Sequence, residues 1–174
     1  MIIRKATKQD IPFISQIFSD IHTAEEKGQT TIGWVRDIYP TTKTAEMALK
    51  RQDLFVEEDE GKIVGTAIIN QIQVDSYKGA NWRYDVPDNE IMVLHTLVIS
   101  PKESRKGYGK KFVSYYEEYA RSCGCNYLRM DTNEKNATAR AMYKKLGYEE
   151  VGIVPCDFNG ISNINLVLLE KHLD

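Results

Sequence analysis

Apolar residues recur at helical spacing in four parts of the chain, and these parts are predicted to be helices. They cover 11–21, 44–51, the residues from Gly109 up to Gly124, and the residues from Asn136 up to Gly147. A glycine ends each of the last two patterns, as is common just after a helix C-terminus. Between the first two helices the periodicity is lost, so the segment Thr23–Thr44 is predicted to be a long loop.

Seven runs rich in β-branched and aromatic residues, bounded by turn residues, are predicted to be strands. They are Ile2–Ala6, Leu54–Glu57, Lys62–Gln73, Glu90–Ile99, Tyr127–Thr132, Glu149–Val154 and Ser162–Leu169. The resulting order is β-α-α-β-β-β-α-β-α-β-β. It predicts an α/β protein of the α+β kind, with a mixed, mainly antiparallel sheet and helices on its faces. A length of 174 residues without an obvious linker indicates one domain, 1–174.

Composition and charge exclude several classes of partner. The net charge of −2 provides no basic field for nucleic acid, so none is expected as a partner. No apolar run approaches the length of a membrane span, so no membrane association is expected. The first ten residues lack an apolar signal core, and the cysteines Cys123, Cys125 and Cys156 fit a reduced chain better than a disulfide scaffold. We therefore expect a cytoplasmic protein without a metal site.

The most informative segment follows the predicted strand Glu90–Ile99. A Gly107-x-Gly109 element surrounded by Arg and Lys residues leads directly into an amphipathic helix. Free amide groups at a helix N-terminus, with cations nearby, favour a phosphate ligand. A dinucleotide-binding loop would need a third glycine where Phe112 stands, and a P-loop would need a hydroxyl residue after Gly109-Lys110. Neither nucleotide motif is therefore present.

Two segments together resemble the GNAT acetyltransferase family. The family's acetyl-CoA loop, Arg/Gln-x-x-Gly-x-Gly/Ala, is similar to Ser104-Arg105-Lys106-Gly107-Tyr108-Gly109. Ser104 departs from the pattern, and Arg105 stands one place later as a replacement for the missing charge. Downstream, Asn136-x-x-Ala139-x-x-x-Tyr143-x-x-x-Gly147-Tyr148 is similar to the family's Asn-x-x-Ala-x-x-x-Tyr-x-x-x-Gly-Phe/Tyr segment. Taken singly, Asn136 could be a helix cap and Tyr143 a core residue, so the pairing of both motifs carries the resemblance.

The resemblance implies acetyl-CoA as cofactor and assigns residues to it. Backbone groups of Leu97, Val98 and Ile99 would hold the pantetheine arm, and a free N–H there would polarise the thioester carbonyl. The other implied cofactor-binding residues are Ser104, Arg105, Lys106, Gly107, Tyr108, Gly109, Lys110, Asn133, Asn136 and Tyr143. Tyr143 would also act as the general acid that protonates the departing thiolate.

The general base stays open between His95, Glu90 and a water-mediated route. His95 is expected on the same strand face as Leu97, two residues away, and its ordinary pKa suits proton removal near neutral pH. Glu90, at the start of the strand, is expected on the opposite face. A hydrogen-bonded core histidine is the alternative interpretation of His95.

Aromatic residues outside both motifs are the candidates for an acceptor pocket, because they could attract a cationic amine. The candidates are Trp34, Tyr39, Tyr77, Trp82, Phe158 and Asn159. We expect an N-acetyltransferase that acts on a primary amine of a small molecule or amino acid, by direct transfer in a ternary complex. A non-catalytic acetyl-CoA sensor or scaffold is the main alternative, and a nucleotide-binding regulator is a third. The oligomeric state stays open, a homodimer included.

Overall fold

The computed structural model describes all 174 residues. Its main elements are β1 (Ile2–Lys5), α1 (Ile11–Glu26), α2 (Thr42–Arg51), β2 (Leu54–Asp59), β3 (Lys62–Asn70), β4 (Ile91–Ile99), α3 (Tyr108–Ser122), β5 (Tyr127–Asn133), α4 (Ala137–Lys145), β6 (Glu149–Phe158) and β7 (Ile161–His172). The order of elements expected from the sequence is confirmed.

The seven strands form one sheet in the order β1-β2-β3-β4-β5-β7-β6. All neighbours are antiparallel except β4 and β5, which run parallel, so the expectation of a mixed, mainly antiparallel sheet is confirmed. Alternation along β2 shows the two faces: Phe55 packs in the core under α3, whereas Leu54 and Val56 pack in the core under α1 and α2. None of the helices combines the length and the apolar character needed to cross a membrane.

The predicted loop Thr23–Thr44 is too long at both ends. Helix α1 continues to Glu26, because Ala24 lies on its buried face, and α2 already starts at Thr42. The remaining connection is ordered by Glu25, whose carboxylate accepts hydrogen bonds from the amides of Ile32 and Gly33 at 2.8 and 2.9 Å. These hydrogen bonds therefore fix the start of the α1–α2 connection against the end of α1.

The last hairpin is also longer than expected, and Phe158 belongs to strand β6 instead of the turn. Pro155 is tolerated within this strand because β6 lies at the edge of the sheet, where a missing N–H can leave no ladder partner unsatisfied. The turn consists of Asn159 and Gly160, with φ of 52° and 80°. Two positive φ values in succession match the two-residue turns preferred in hairpins.

One buried carboxyl group has no hydrogen-bond partner. Glu57 on β2 is 0% exposed, and neither of its carboxylate oxygens is hydrogen bonded. Burial raises its pKa to about 7, against the opposing effect of the Lys111 charge. Because the unfolded chain ionises Glu57 at lower pH than the folded chain, the free energy of unfolding falls as pH rises from about 4.5 to 7.

We therefore expect Glu57→Gln to be more stabilising at pH 8 than at pH 4.5. From the pKa difference, the change between these two pH values is on the order of 2–3 kcal/mol. Urea unfolding at both pH values measures it, and Glu60→Gln, at an exposed position in the β2–β3 turn, is the matched control. An equal effect of Glu57→Gln at both pH values would contradict the prediction.

Candidate functional site

Strand β4 contains a bulge in its second half. His95 pairs with Ile68 and Val98 pairs with Thr66, so three steps on β4 oppose two on β3. Thr96 adopts φ of 52°, a left-handed conformation that is unusual for a β-branched residue. The Tyr39 hydroxyl forms a hydrogen bond with the Thr96 hydroxyl and so links the bulge to the α1–α2 connection.

The bulge reverses the faces expected for two candidate residues. Met92 and Leu94 pack under α3 and α4, and after the bulge Leu97 and Ile99 return to that same core. Continuous alternation would have placed them on the other face. His95, one step after Leu94, therefore faces away from Leu97, and the expectation that His95 and Leu97 share a face was wrong.

Strands β4 and β5 separate just before the bulge. Their pairing ends at Leu94 opposite Met130, whereas β5 continues alongside β7 as far as Asn133. The edge of β4 that faces β5 therefore has no strand partner from His95 onward. The backbone of Leu97 to Ile99 lies along this open edge and is available to an extended ligand.

Helix α3 begins at the turn after β4, and its first amides have no backbone partner. None of the amides of residues 105–110 donates a backbone hydrogen bond, and the first one that does is Lys111, to the Gly107 carbonyl. Arg105 and Gly107 have φ of 66° and 84°, which turns this backbone into the start of the helix. Adjacent free amides at a helix N-terminus favour an anionic ligand.

The cations around this turn differ in how they are engaged. Lys106 is paired with Glu103 at 2.6 Å, and Lys62 bonds the same carboxylate, which lowers the pKa of Glu103 to about 2. Arg105 and Lys110 form no ion pair. Tyr108 donates its hydroxyl to Asp59 at 2.7 Å, so its side chain anchors the turn to β2. Ser104, the position that departs from the family motif, follows a short 3₁₀ turn, and its side chain forms no hydrogen bond.

A cavity of about 550 Å³ lies where β4 and β5 separate. This volume suits a small molecule or part of a larger ligand. The structure brings nine of the candidate residues together in its lining: Trp34, Tyr39, His95, Leu97, Asn133, Asn136, Tyr143, Phe158 and Asn159. Val98, Ile99 and residues 104–110 lie outside the lining, on the strand edge and at the start of α3.

Three candidates lie away from the cavity. Glu90 ends a short 3₁₀ turn before β4 and is exposed, about 20 Å along the strand from the bulge at 3.3 Å per residue. Tyr77 is 2% exposed and packs edge-on against Trp82 with ring centroids 5.1 Å apart. Trp82 in turn stacks on the Arg129 guanidinium, 4.1 Å from the ring centroid, so these two aromatics anchor their own loop instead of lining the cavity.

Asp131 is a functional candidate that the sequence analysis missed. It lies on β5, faces the cavity, and accepts a hydrogen bond from the Tyr77 hydroxyl at 2.7 Å. Burial raises the pKa of Asp131 to about 6, and the Tyr77 hydrogen bond opposes that shift. No sequence signal pointed to it, because its neighbour Tyr77 is 54 positions away.

Tyr143 lines the same cavity as Asp131. Its side chain is 7% exposed and lines the cavity from α4. Burial and the negative charge of Asp131 both raise the pKa of Tyr143 above its usual value. The hydroxyl therefore remains protonated at neutral pH and is a hydrogen-bond donor at the place where the strands separate.

His95 belongs to a hydrogen-bonded network. Its Nε2 lies 3.0 Å from the Asn70 Oδ1, and Asn70 donates through Nδ2 to Asp53 at 2.8 Å. Because the amide oxygen only accepts, Nε2 carries the hydrogen and Nδ1 keeps the lone pair. Burial lowers the pKa of His95 to about 4, so it is neutral near pH 7 and a weaker base than Asp131.

The two asparagines at the end of β5 have local roles. The Asn136 side chain caps α4 by accepting a hydrogen bond from the Ala139 amide at 3.2 Å. Asn133 packs so closely against Gly33, whose φ is 83°, that a Cβ at position 33 would lie 2.3 Å from the Asn133 amide nitrogen. Glycine is therefore required where the α1–α2 connection meets β5.

No cysteine lines the cavity, and no group of three or more His, Cys, Asp or Glu side chains has the proximity needed to hold a metal ion. Cys123 is exposed at the end of α3, Cys125 is buried beside Asn89, and Cys156 lies on β6. A covalent route through a cysteine acyl carrier therefore has no support in this geometry.

Solved structures of acetyltransferases share this fold. A GNAT family acetyltransferase from Streptococcus agalactiae is 22% identical, with a TM-score of 0.83 over 99% of this chain and 95% of that one. The ribosomal-protein-alanine N-acetyltransferase from Brucella melitensis is 20% identical, with a TM-score of 0.73 over 99% and 100% of the two chains. The putative acetyltransferase yncA from Salmonella typhimurium, solved with its cofactor acetyl-CoA, is 20% identical, with a TM-score of 0.71 over 100% and 94%. Likeness at these identities establishes the fold alone.

Sequence comparisons address the family directly. The uncharacterized N-acetyltransferase MJ1207 of Methanocaldococcus jannaschii is 24% identical over 155 residues. That match covers 87% of this chain but 62% of the relative. The model of the acetyltransferase (GNAT) family matches residues 14–148, from α1 to the end of the second sequence motif. The chain therefore belongs to the GNAT acetyltransferase family.

Proposed function

We propose that this protein transfers an acetyl group from acetyl-CoA to a primary amine by direct attack in a ternary complex. One observation carries the proposal: free amides at the start of α3 and an open edge of β4 lead to a cavity that contains Tyr143 and Asp131. Acetyl-CoA, when bound, supplies the thioester that the amine attacks.

The residues present fit that cofactor. The six free amides of residues 105–110 suit a pyrophosphate, and Arg105 and Lys110 add charge that no carboxylate neutralises. Beyond them, the unpaired edge of β4 suits the amide groups of a pantetheine arm. A free N–H from Leu97 to Ile99 would polarise the thioester carbonyl, and such donors typically contribute about 3–4 kcal/mol to a transition state.

The side chains divide the proton transfers between them. Asp131 accepts the proton of the attacking amine, because its carboxylate faces the cavity and is ionised above about pH 6. Tyr143 donates to the departing sulfur, because its hydroxyl remains protonated in the same cavity. His95 and Glu90 are not the proposed base: His95 serves the Asn70 network, and Glu90 lies outside the cavity.

The observation that separates an enzyme from an acetyl-CoA sensor is the acceptor side of the cavity. A sensor needs the free amides and the strand edge but no carboxylate of raised pKa in the cavity, and such perturbed groups are typical of catalytic sites. Asp131 therefore favours catalysis over binding alone.

The direct test is to measure CoA release from acetyl-CoA with a panel of primary amines. The panel includes aliphatic amines, amino acids, and a peptide with a free N-terminal amine. We expect release that depends on at least one amine and exceeds hydrolysis without amine, together with binding of CoA by calorimetry. CoA binding without any amine-dependent release would support the sensor, and absence of CoA binding would reject both functions.

A further inference from the structure

Helix α2 presents one charged face to the cavity. Lys43, Met47 and Arg51, four residues apart, line it from this helix, while Ala45 and Ala48 on the opposite side are fully buried against α1. Nothing in the two sequence motifs pointed to α2. Its cavity-facing side therefore lies outside the segments assigned to the cofactor.

Arg51 is held in position by one buried carboxylate, that of Asp53. Its Nε and Nη2 atoms donate to Asp53 at 2.8 and 3.2 Å, and Asp53 also accepts the Asn70 amide at 2.8 Å. Because Asn70 is itself bound by His95, residues from α2, β3 and β4 cooperate to fix the guanidinium at the wall of the cavity. Its Nη1 group makes no hydrogen bond and remains for a ligand.

Lys43 adds a cation that no carboxylate neutralises, since it takes part in no ion pair. Lys43, Arg51 and Asp131 are the only Lys, Arg, Asp or Glu side chains in the lining. The two cations lie on α2 and the carboxylate lies on β5, with the Tyr39 hydroxyl in electrostatic range of both Arg51 and Asp131. The two cations of the lining thus lie on one wall, where Arg51 shares its charge with Asp53, and the one carboxylate lies on the other.

We infer that the acceptor is a small amino carboxylic acid, whose amine lies at Asp131 and whose carboxylate is bound by one of the two cations of α2, Arg51 or Lys43. This inference rests on the proposed function and names the substrate class of the same site. A guanidinium held by a buried carboxylate keeps its orientation, so it binds a carboxylate with little loss of side-chain entropy. Lys43 and Arg51 are eight residues apart, about 12 Å along the helix, so acceptors of different length would reach different cations.

The experiment compares matched acceptors in amine-dependent CoA release. Glycine, β-alanine, 4-aminobutanoate and 5-aminopentanoate are each compared with the n-alkylamine of the same chain length, and alanine is compared with alaninamide and with an alanine-initiated peptide amide. We expect the best amino carboxylate to exceed the partner that lacks a carboxylate by about ten-fold or more in kcat/KM, as one charged hydrogen bond provides. The chain length of the best acceptor reports the distance between the two walls.

Variants on α2 assign the effect to its side chains. Arg51→Gln and Lys43→Gln should raise the KM for the carboxylate acceptor, with a change of at least about five-fold for one of them, and leave kcat/KM for the alkylamine within two-fold. Arg51→Lys retains a cation and should lose less than Arg51→Gln, which separates charge from damage to the Asp53 network. Lys50→Gln is the matched control, because Lys50 lies on the same helix but not in the lining.

Two results would overturn the inference while leaving the proposed function intact. One is equal use of carboxylates and alkylamines, and the other is a preference for the peptide amide, which would indicate a protein N-terminus as acceptor. If the α2 variants lower kcat/KM equally for all acceptors, then Arg51 and Lys43 have a structural role and the inference is also rejected. Failure of every amine would instead reject the proposed function.

Discussion

Replacing Tyr143 with Phe is expected to lower kcat by about 10²- to 10⁴-fold, the usual contribution of a general acid. The side chain is packed in the core under α3 and α4, and Phe retains that packing. Only the hydroxyl that would donate to the departing sulfur is lost. The dissociation constant of CoA, measured by calorimetry, should therefore change by less than about three-fold.

Tyr148→Phe is the matched control for this prediction. Tyr148 packs edge-on against Tyr143 with ring centroids 5.9 Å apart, but its hydroxyl donates to Glu117 and it does not line the cavity. The Tyr148→Phe variant should have slightly reduced thermal stability and a nearly unchanged kcat. If both variants lower kcat equally, the loss comes from disturbed packing and Tyr143 is not the acid.

Replacing Asp131 with Asn is expected to have an effect of similar size, about 10²- to 10⁴-fold in kcat. For a base with a pKa of about 6, activity should rise with pH through that value, because only the ionised carboxylate accepts a proton. One pH unit below the pKa, about a tenth of the molecules carry the carboxylate. The variant should lose this acid limb, whereas any limb from ionisation of the amine remains.

Tyr77 and His95 provide the controls for Asp131. The Tyr77 hydrogen bond lowers the pKa of Asp131, so Tyr77→Phe should move the acid limb to higher pH and leave kcat at pH 8 nearly unchanged. His95→Gln retains a donor for the Asn70 oxygen and should keep the limb. If His95→Gln abolishes the limb and Asp131→Asn does not, then His95 is the base.

The residues of the acceptor pocket could be predicted only in part from the sequence. Six residues were candidates on the same grounds, an aromatic or amide side chain in a long loop or turn. Four of them line the cavity, whereas Tyr77 and Trp82 support Asp131 and Arg129 from outside it. Local sequence did not distinguish the two groups, since both have the composition of ordered surface loops.

The wrong prediction that His95 shares a strand face with Leu97 has a different physical cause. Alternation along a strand is a reliable guide only while the pairing register is unbroken. One extra residue in β4, with Thr96 in a left-handed conformation held by Tyr39, shifts every later side chain to the other face. Neither Thr96 nor its neighbours carry a glycine or proline that would have signalled a bulge.

Local pattern was sufficient for the order of elements, the mixed sheet and the glycine turn before α3, because periodicity, turn chemistry and helix starts depend on neighbours in the chain. Only the tertiary structure revealed the bulge and the separation of β4 from β5. It also revealed that Asp131, Tyr143 and Arg51 line one cavity. These features depend on hydrogen bonds and packing between residues far apart in sequence, where strand register and backbone conformation are set jointly by several elements.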